Sequence, residues 1–143
     1  MELSCIIVDD EPLAVQLLES FVKRTPYLRF VASYTDPVLA LSELSKQPVD
    51  LLFLDIQMPD LDGLNLSRMV PPETRVIFAT AFKEYAFDSY EVNALDFLLT
   101  PCLKAFSITE MKSSGAICTG WGGASNRVST VVRLLQRSRI RSI

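Results

Sequence analysis

Acidic side chains follow two of the apolar segments in this chain, and they are the residues best suited to chemistry. Asp9 and Asp10 come directly after Ile6-Ile7-Val8, and Asp55 comes directly after Leu51–Leu54. Carboxylates crowded into one cleft repel one another, and a hard divalent ion such as Mg²⁺ relieves that repulsion. The same ion can neutralise a phosphoryl group, and a carboxylate beside it can act as a nucleophile. The pattern therefore indicates phosphoryl chemistry, provided that the fold brings these acids together.

The elements that must position these acids are short β-branched or apolar runs alternating with segments of helical spacing. We predict strands over residues 3–8, 28–34, 50–55, 75–80 and 95–99, and helices over 12–23, from 37 onwards, over 63–69 and over 83–91. This alternation predicts a parallel sheet with helices on both faces. Five such units favour an α/β, doubly wound, flavodoxin-like sheet with the strand order 2-1-3-4-5. Strands 1 and 3 are then neighbours, and the acids that follow them should meet at one edge.

A further polar pair follows the predicted fourth strand. Thr80 offers a hydroxyl, and the small Ala81 offers a backbone N–H and leaves space beside it. Both groups could donate hydrogen bonds to phosphoryl oxygens at the same edge of the sheet.

The amino-acid composition excludes several classes of function. The chain has 143 residues, of which 49% are hydrophobic, and a net charge of −3, which fits one domain with a buried core. Histidine is absent, which excludes Ser–His and Cys–His nucleophile pairs and most transition-metal sites. Three cysteines at no metal-ligand spacing indicate reduced thiols in a cytoplasmic protein. No apolar run approaches the roughly 18 residues that span a bilayer, and no signal peptide is recognisable.

Charge changes abruptly near residue 110. Residues 1–110 hold all 17 acids and have a net charge of −9, whereas residues 111–143 hold six bases and no acid. We therefore predict a domain over residues 1–111 and an atypical basic tail, rich in Gly, Ser and Arg, over residues 112–143. Helical spacing of apolar residues among arginines over 128–140 is compatible with a basic amphipathic helix. A foreign tail, from a reading-frame change for example, explains the composition equally well.

Four segments in this order resemble the receiver domains of two-component response regulators, which have the CheY-like fold. They are residues 7–12 (IVDDEP), 54–59 (LDIQMP) with Asp62-Gly63, 78–81 (FATA) and 91–99 (EVNALDFLL). The last segment resembles the receivers of the LytR/AlgR (LytTR) class most. The resemblance extends from residue 3 to about residue 101.

The resemblance implies a phosphoacceptor signalling domain rather than an enzyme. Asp55 would take a phosphoryl group from a sensor histidine kinase, with Thr80 and Ala81 contacting that group and Phe97 acting as the switch aromatic. The implied Mg²⁺ ligands are three carboxylates and one backbone carbonyl: Asp9, Asp10, Asp55 and the carbonyl of Gln57. The family also implies a possible homodimer through the α4-β5-α5 face, which family members form from their fourth helix, fifth strand and fifth helix. We expect DNA contact only through an effector domain that this chain does not contain, and no membrane partner.

The chain departs from the family pattern at Thr100, where the family has a lysine before the proline. A hydroxyl cannot replace a full positive charge near several carboxylates. We therefore predict that Mg²⁺ binding survives while phosphorylation or its readout is weakened.

The alternative to a phosphoacceptor is a pseudo-receiver that acts as a protein-interaction module without phosphotransfer. An aspartyl-phosphate phosphatase fits poorly, because such a site needs an acid where this chain has Gln57. In the simplest alternative of all, Asp9 and Asp10 only cap the first helix.

Overall fold

Five parallel strands form a single sheet in the computed structural model, which describes residues 2–80 and 96–99. The elements in chain order are β1 (Leu3–Val8), α1 (Pro12–Arg24), β2 (Leu28–Tyr34), α2 (Pro37–Lys46), β3 (Leu51–Leu54), α3 (Gly63–Met69), β4 (Arg75–Thr80) and β5 (Asp96–Leu99). Their order across the sheet is β2-β1-β3-β4-β5, and every neighbouring pair is parallel. The doubly wound order predicted from the alternation of strands and helices is confirmed.

The two central strands, β1 and β3, are buried on both faces, which explains why their sequences are apolar except at Ser4. Successive side chains of a strand point to opposite faces, and the core is accordingly divided into two clusters. Cys5, Ile7 and Phe53 pack with α1 on one face. Ile6, Val8 and their neighbours pack with α2 and α3 on the other face. The chain runs outwards from β1 to β2 and then returns to β3, so right-handed crossovers place α1 and α2 on opposite faces.

Local signals set where α2 and α3 begin. The carboxylate of Asp36 accepts hydrogen bonds from the N–H groups of Val38 (2.9 Å) and Leu39 (3.4 Å) ahead of α2. The carboxylate of Asp62 accepts from the N–H of Asn65 (2.9 Å) ahead of α3. Each cap satisfies donors that the first helical turn leaves unpaired. Because α2 follows β2 and α3 follows β3, both helices begin at the edge of the sheet where the strands end.

Some predicted boundaries differ from the observed ones. The third strand is Leu51–Leu54 and not 50–55, because Asp50 bonds through its carboxylate to the N–H and hydroxyl of Ser4 at 3.0 and 3.1 Å. The first helix extends to Arg24, one residue beyond its predicted end. The predicted helix over 83–91, Thr100 and the tail 112–143 lie outside the described residues. No helix of the described part combines the length and apolarity needed to cross a membrane.

Cys5 lies on β1 with no solvent exposure. Its thiol donates a hydrogen bond to the carbonyl of Leu3 at 3.4 Å. Burial raises the pKa of this thiol to about 12, and the negative charge of Asp50 acts in the same direction. The thiol is therefore protonated and inert in the folded protein.

Candidate functional site

The acids after β1 and β3 converge because the two strands are paired in register. Val8 is the partner of Leu54, so Asp9 and Asp55 are the next residues on neighbouring strands. The N–H of Asp55 also donates to the carbonyl of Val8 at 2.9 Å, which extends the pairing to the acid itself. Carboxylate oxygens of Asp9, Asp10 and Asp55 all lie within 4.8 Å of one another. We call these three residues the acidic cluster.

Asp9 is the most buried member of the acidic cluster, with 5% of its surface exposed. One carboxylate oxygen accepts a hydrogen bond from the N–H of Glu11 at 2.9 Å, which fixes the side chain in the turn between β1 and α1. Burial raises the pKa of Asp9 to about 8, and the nearby charge of Asp55 contributes to the rise. Glu11 is the N-cap residue of α1 and makes no side-chain cap bond. Neither Asp9 nor Asp10 is therefore the N-cap residue of α1.

Asp55 is half-buried, so its carboxylate has a route to solvent. Burial raises the pKa of Asp55 to about 6, whereas hydrogen bonds from the Thr80 side chain and from backbone N–H groups act in the opposite direction. One of these is the N–H of Ile56, which lies 2.8 Å from a carboxylate oxygen. The pKa of Asp9 is therefore raised further than the pKa of Asp55. The hydrogen bonds of Glu11 and Ile56 were not predicted from sequence, because a residue pattern does not specify which backbone N–H faces a side chain.

The charge of the acidic cluster is not balanced by protein cations in the part of the chain that the structure describes. The ion pairs found there are Lys23–Glu19 and Lys46–Glu43, and both lie on helix surfaces. Three convergent carboxylates are oxygen donors of the kind that hard divalent ions prefer. The donor set therefore fits Mg²⁺.

An open cavity of about 440 Å³ lies beside the acidic cluster. Asp10 and Gln57 contribute polar groups to its lining, and Met58, Pro59 and Leu64 contribute apolar surface. Asp10 therefore faces a concave surface with room for water or a small group. The exposed Gln57 lies on this surface, in the loop that follows β3.

The remaining predicted site residues lie on the β4 and β5 side of the sheet. Thr80 ends β4 and is 1% exposed, with its side chain hydrogen-bonded to the Asp55 carboxylate. Phe97 lies on β5 and is the register partner of Phe78. Ala81 and the side chain of Phe97 are outside the described residues. The structure thus brings Thr80 to the acidic cluster and places the backbone of Phe97 one strand beyond it.

Comparison with known proteins gives concordant results. Residues 5–112 match the family model described as "Response regulator receiver domain". The transcriptional regulatory protein BtsR of Escherichia coli K12 is 42% identical over 98 residues, which are 67% of this chain and 41% of that protein. An uncharacterized response regulatory protein of Vibrio parahaemolyticus is 37% identical over 101 residues, or 69% of this chain and 42% of that protein. The chain thus spans about two fifths of the length of these curated relatives.

Solved structures show the same fold. The response regulatory domain of protein mrkE from Klebsiella pneumoniae has a TM-score of 0.67 and 28% identity, with 94% of this chain and 96% of that chain covered. The response regulator domain of Thermotoga maritima CheB has a TM-score of 0.66 and 20% identity, with 88% of this chain and 98% of that chain covered. At that identity, the second comparison speaks for the fold alone.

Proposed function

Because the chain belongs to the response regulator receiver domain family, we propose that Asp55 accepts a phosphoryl group from a sensor histidine kinase. Receiver domains are signalling domains that sensor kinases phosphorylate and that link to effector domains. The observation that carries the proposal is the convergence of Asp9, Asp10 and Asp55 within 4.8 Å at the end of β1 and β3. Three carboxylates at this distance do not stabilise a structural core, because their mutual repulsion opposes folding.

Asp55 is the member of the acidic cluster best suited to be the acceptor. It is more exposed than Asp9, and its pKa of about 6 leaves it ionised near neutral pH. A carboxylate oxygen of Asp55 attacks the phosphorus of a phosphohistidine, an O–P bond forms, and the P–N bond breaks with its electron pair leaving on the imidazole nitrogen. The N–H of Ile56 donates to one carboxylate oxygen at 2.8 Å, which limits the rotation of the nucleophile.

The residues that would hold Mg²⁺ are Asp9, Asp10, Asp55 and the backbone carbonyl of Gln57. When bound, the ion would offset the negative charge that gathers as phosphoryl oxygens approach the carboxylates. Asp9 must lose its proton to act as a ligand, and its pKa is about 8 in the absence of a cation. Metal binding near neutral pH should therefore release a proton.

The finer parts of the proposal concern the rest of the chain. We assign the receiver to residues 1–111, and residues 112–143 to a tail outside it, on the change in charge near residue 110. Thr80 and Ala81 would contact the phosphoryl group, and Phe97 would be the switch aromatic. The LytR/AlgR class is supported by the segment 91–99 and by the similarity to a transcriptional regulatory protein. We also propose a cytoplasmic location and a homodimer through the α4-β5-α5 face of the domain.

A phosphorylation assay with mass measurement tests the central claim. The full chain is incubated with Mg²⁺ and a small phosphodonor, and the mass of one added phosphoryl group is followed. We expect labelling of the unsubstituted chain and none of Asp55→Asn. Asp60→Asn is the matched control, because Asp60 is exposed in the same loop and asparagine tolerates its positive φ of 69°. Equal labelling of Asp55→Asn, or no labelling of any form, would contradict the proposal.

A further inference from the structure

We propose that Val31, an extra residue in β2, keeps the outer edge of that strand closed to pairing with a second copy of this chain. β2 (Leu28–Tyr34) lies at one end of the strand order, and within the described residues it pairs with β1 alone. An edge strand presents unpaired N–H and C=O groups that can bind another strand. The sequence of β2, LRFVASY, is rich in β-forming residues, holds one charge and has no proline, which is typical of segments that pair with themselves. The inference does not depend on the phosphoacceptor role of Asp55.

The pairing of β2 with β1 changes register at Val31. Cys5 is the partner of Phe30, and the next residue, Ile6, is the partner of Ala32, so Val31 has no partner on β1. A bulge of this kind bends the strand and increases its local twist. Val31 is 39% exposed, so its side chain is not held in the core.

Backbone hydrogen bonds at the two ends of β2 show how the bulge alters its outer edge. The carbonyl of Tyr27, just before the strand, accepts from the N–H of Leu3 at 2.8 Å, and the carbonyl of Tyr34 accepts from the N–H of Asp9 at 3.2 Å. Both carbonyls therefore point towards β1, although carbonyls an odd number of residues apart point to opposite sides of a regular strand. The row of outward groups is consequently displaced by one residue at Val31. A regular partner strand can then pair with β2 on one side of Val31 only.

Side-chain contacts with α1 hold β2 on both sides of the bulge. Before it, Nζ of Lys23 lies 5.1 Å from the centroid of the Phe30 ring. After it, the hydroxyl of Ser33 donates to a carboxylate oxygen of Glu19 at 2.7 Å, and Lys23 pairs with Glu19 at 3.7 Å. Phe30 and Ser33 thus both face α1, although a regular strand turns side chains an odd number of residues apart to opposite faces. These contacts with α1 fix the position of the bulge.

Deletion of Val31 tests the inference directly, because it leaves every partner on β1 in place. Phe30 opposite Cys5 and Ala32 opposite Ile6 become consecutive pairs, and the outer edge of β2 becomes regular. About two more backbone hydrogen bonds with a second copy are then possible, which corresponds to association roughly tenfold to a hundredfold tighter. Self-association of the full chain is measured by sedimentation over a range of concentrations, and folding is followed by circular dichroism.

Two further variants separate the bulge from other causes of association. Val31→Ala is the matched control, because it keeps the extra residue and trims the exposed apolar side chain, and we expect it to associate like the unsubstituted chain. Ser33 has its N–H on the outward side, because its neighbour Tyr34 faces β1. Ser33→Pro, added to the deletion, removes that donor and should return association to the level of the unsubstituted chain. Neither change touches the α4-β5-α5 face proposed for the homodimer.

Four results would overturn the inference. The first is a deletion variant that associates no more tightly than the unsubstituted chain, and the second is an equal increase in Val31→Ala. The third is association of the deletion variant that survives Ser33→Pro, which would place the contact elsewhere. The fourth is a deletion variant that does not fold, since β2 would then need its extra residue to form at all.

Discussion

The stability of the metal-free protein should fall as pH rises, because Asp9 is a carboxylic acid whose pKa is raised on folding. Its pKa is about 8 in the folded protein against a model value of 3.8, with burial as the first cause and the charge of Asp55 as the second. The folded state therefore holds a proton on Asp9 that the unfolded state has released. Stability from this group is complete below about pH 4 and is lost as pH rises to about 8.

The size of this loss of stability follows from the difference between the pKa values of Asp9 in the folded and unfolded states. A difference of roughly four pKa units at 1.36 kcal/mol per unit corresponds to on the order of 5 kcal/mol. Since domains of this size unfold with about 5–15 kcal/mol, the loss would be a large part of the total. Asp55 changes in the same direction, but its pKa of about 6 confines its contribution to the lower part of the pH range.

Urea unfolding followed by circular dichroism measures this loss directly. The unsubstituted chain and Asp9→Asn are compared between about pH 5 and pH 8, with a chelator and with excess Mg²⁺. Asparagine retains an oxygen that can accept the hydrogen bond of the Glu11 N–H, which is 2.9 Å long in the structure. We expect Asp9→Asn to be the more stable form at the alkaline end without metal. Mg²⁺ should stabilise the unsubstituted chain, by about 2.7 kcal/mol at a hundredfold excess over its Kd, and not the variant.

Two results would refute this reasoning. One is a metal-free stability that stays constant between about pH 5 and pH 8, which would mean that Asp9 carries its charge in the folded state without cost. The other is an equal fall in Asp9→Asn, which would assign the pH dependence to other groups.

Three further substitutions test the Thr80 hydroxyl at the acidic cluster, the packing of the buried core and the cap of α2. Thr80→Ala removes the side-chain hydrogen bond that lowers the pKa of Asp55, so labelling should slow roughly a hundredfold by mass measurement, whereas Thr80→Ser should label normally. Phe53→Ala empties a fully buried position that meets Phe21 edge to face at 6.4 Å between ring centroids, and urea unfolding should show a loss of about 3–5 kcal/mol. Asp36→Ala removes the cap of α2 and should cost about 1 kcal/mol in the same assay, with Asp36→Ser close to the unsubstituted chain.

Each of these expectations has a contrary outcome. Normal labelling of Thr80→Ala would show that its hydroxyl is dispensable. A loss well below 1 kcal/mol in Phe53→Ala would show that the core refills the space. Equal instability of the serine and alanine variants at position 36 would mean that the cap oxygen contributes nothing.

Much of the fold was predictable because the central strands are buried on both faces. β1 and β3 must then be almost entirely apolar, and the acid that follows each strand marks the edge of the sheet. The parallel order follows from the alternation of strands and helices, and that order alone predicts that the acids after β1 lie close to Asp55. Prediction was weaker at strand ends, because the side-chain bonds between Asp50 and Ser4 join residues 46 positions apart.

The candidate site was predictable in its residues and not in its supporting contacts. Types and spacing identify Asp9, Asp10 and Asp55, since each follows a strand. The N–H groups that orient two of these carboxylates come from Glu11 and Ile56, and any residue other than proline could supply them. Asp62-Gly63 suggested a turn, yet the contact of residue 63 with the Asp55 backbone depends on how α3 packs against β3.

Cys5 gives the folded protein an internal reporter of its own opening. The thiol has no solvent exposure and a pKa of about 12, so an alkylating reagent reaches it only when β1 leaves the sheet. The alkylation rate of this one sulfur, read by peptide mass mapping, therefore gives the free energy of opening at the centre of the sheet without any denaturant. Because Asp9 directly follows β1, a cation bound at the acidic cluster should slow that reaction, and the alkylation rate of this buried cysteine would then also report whether the cation is bound.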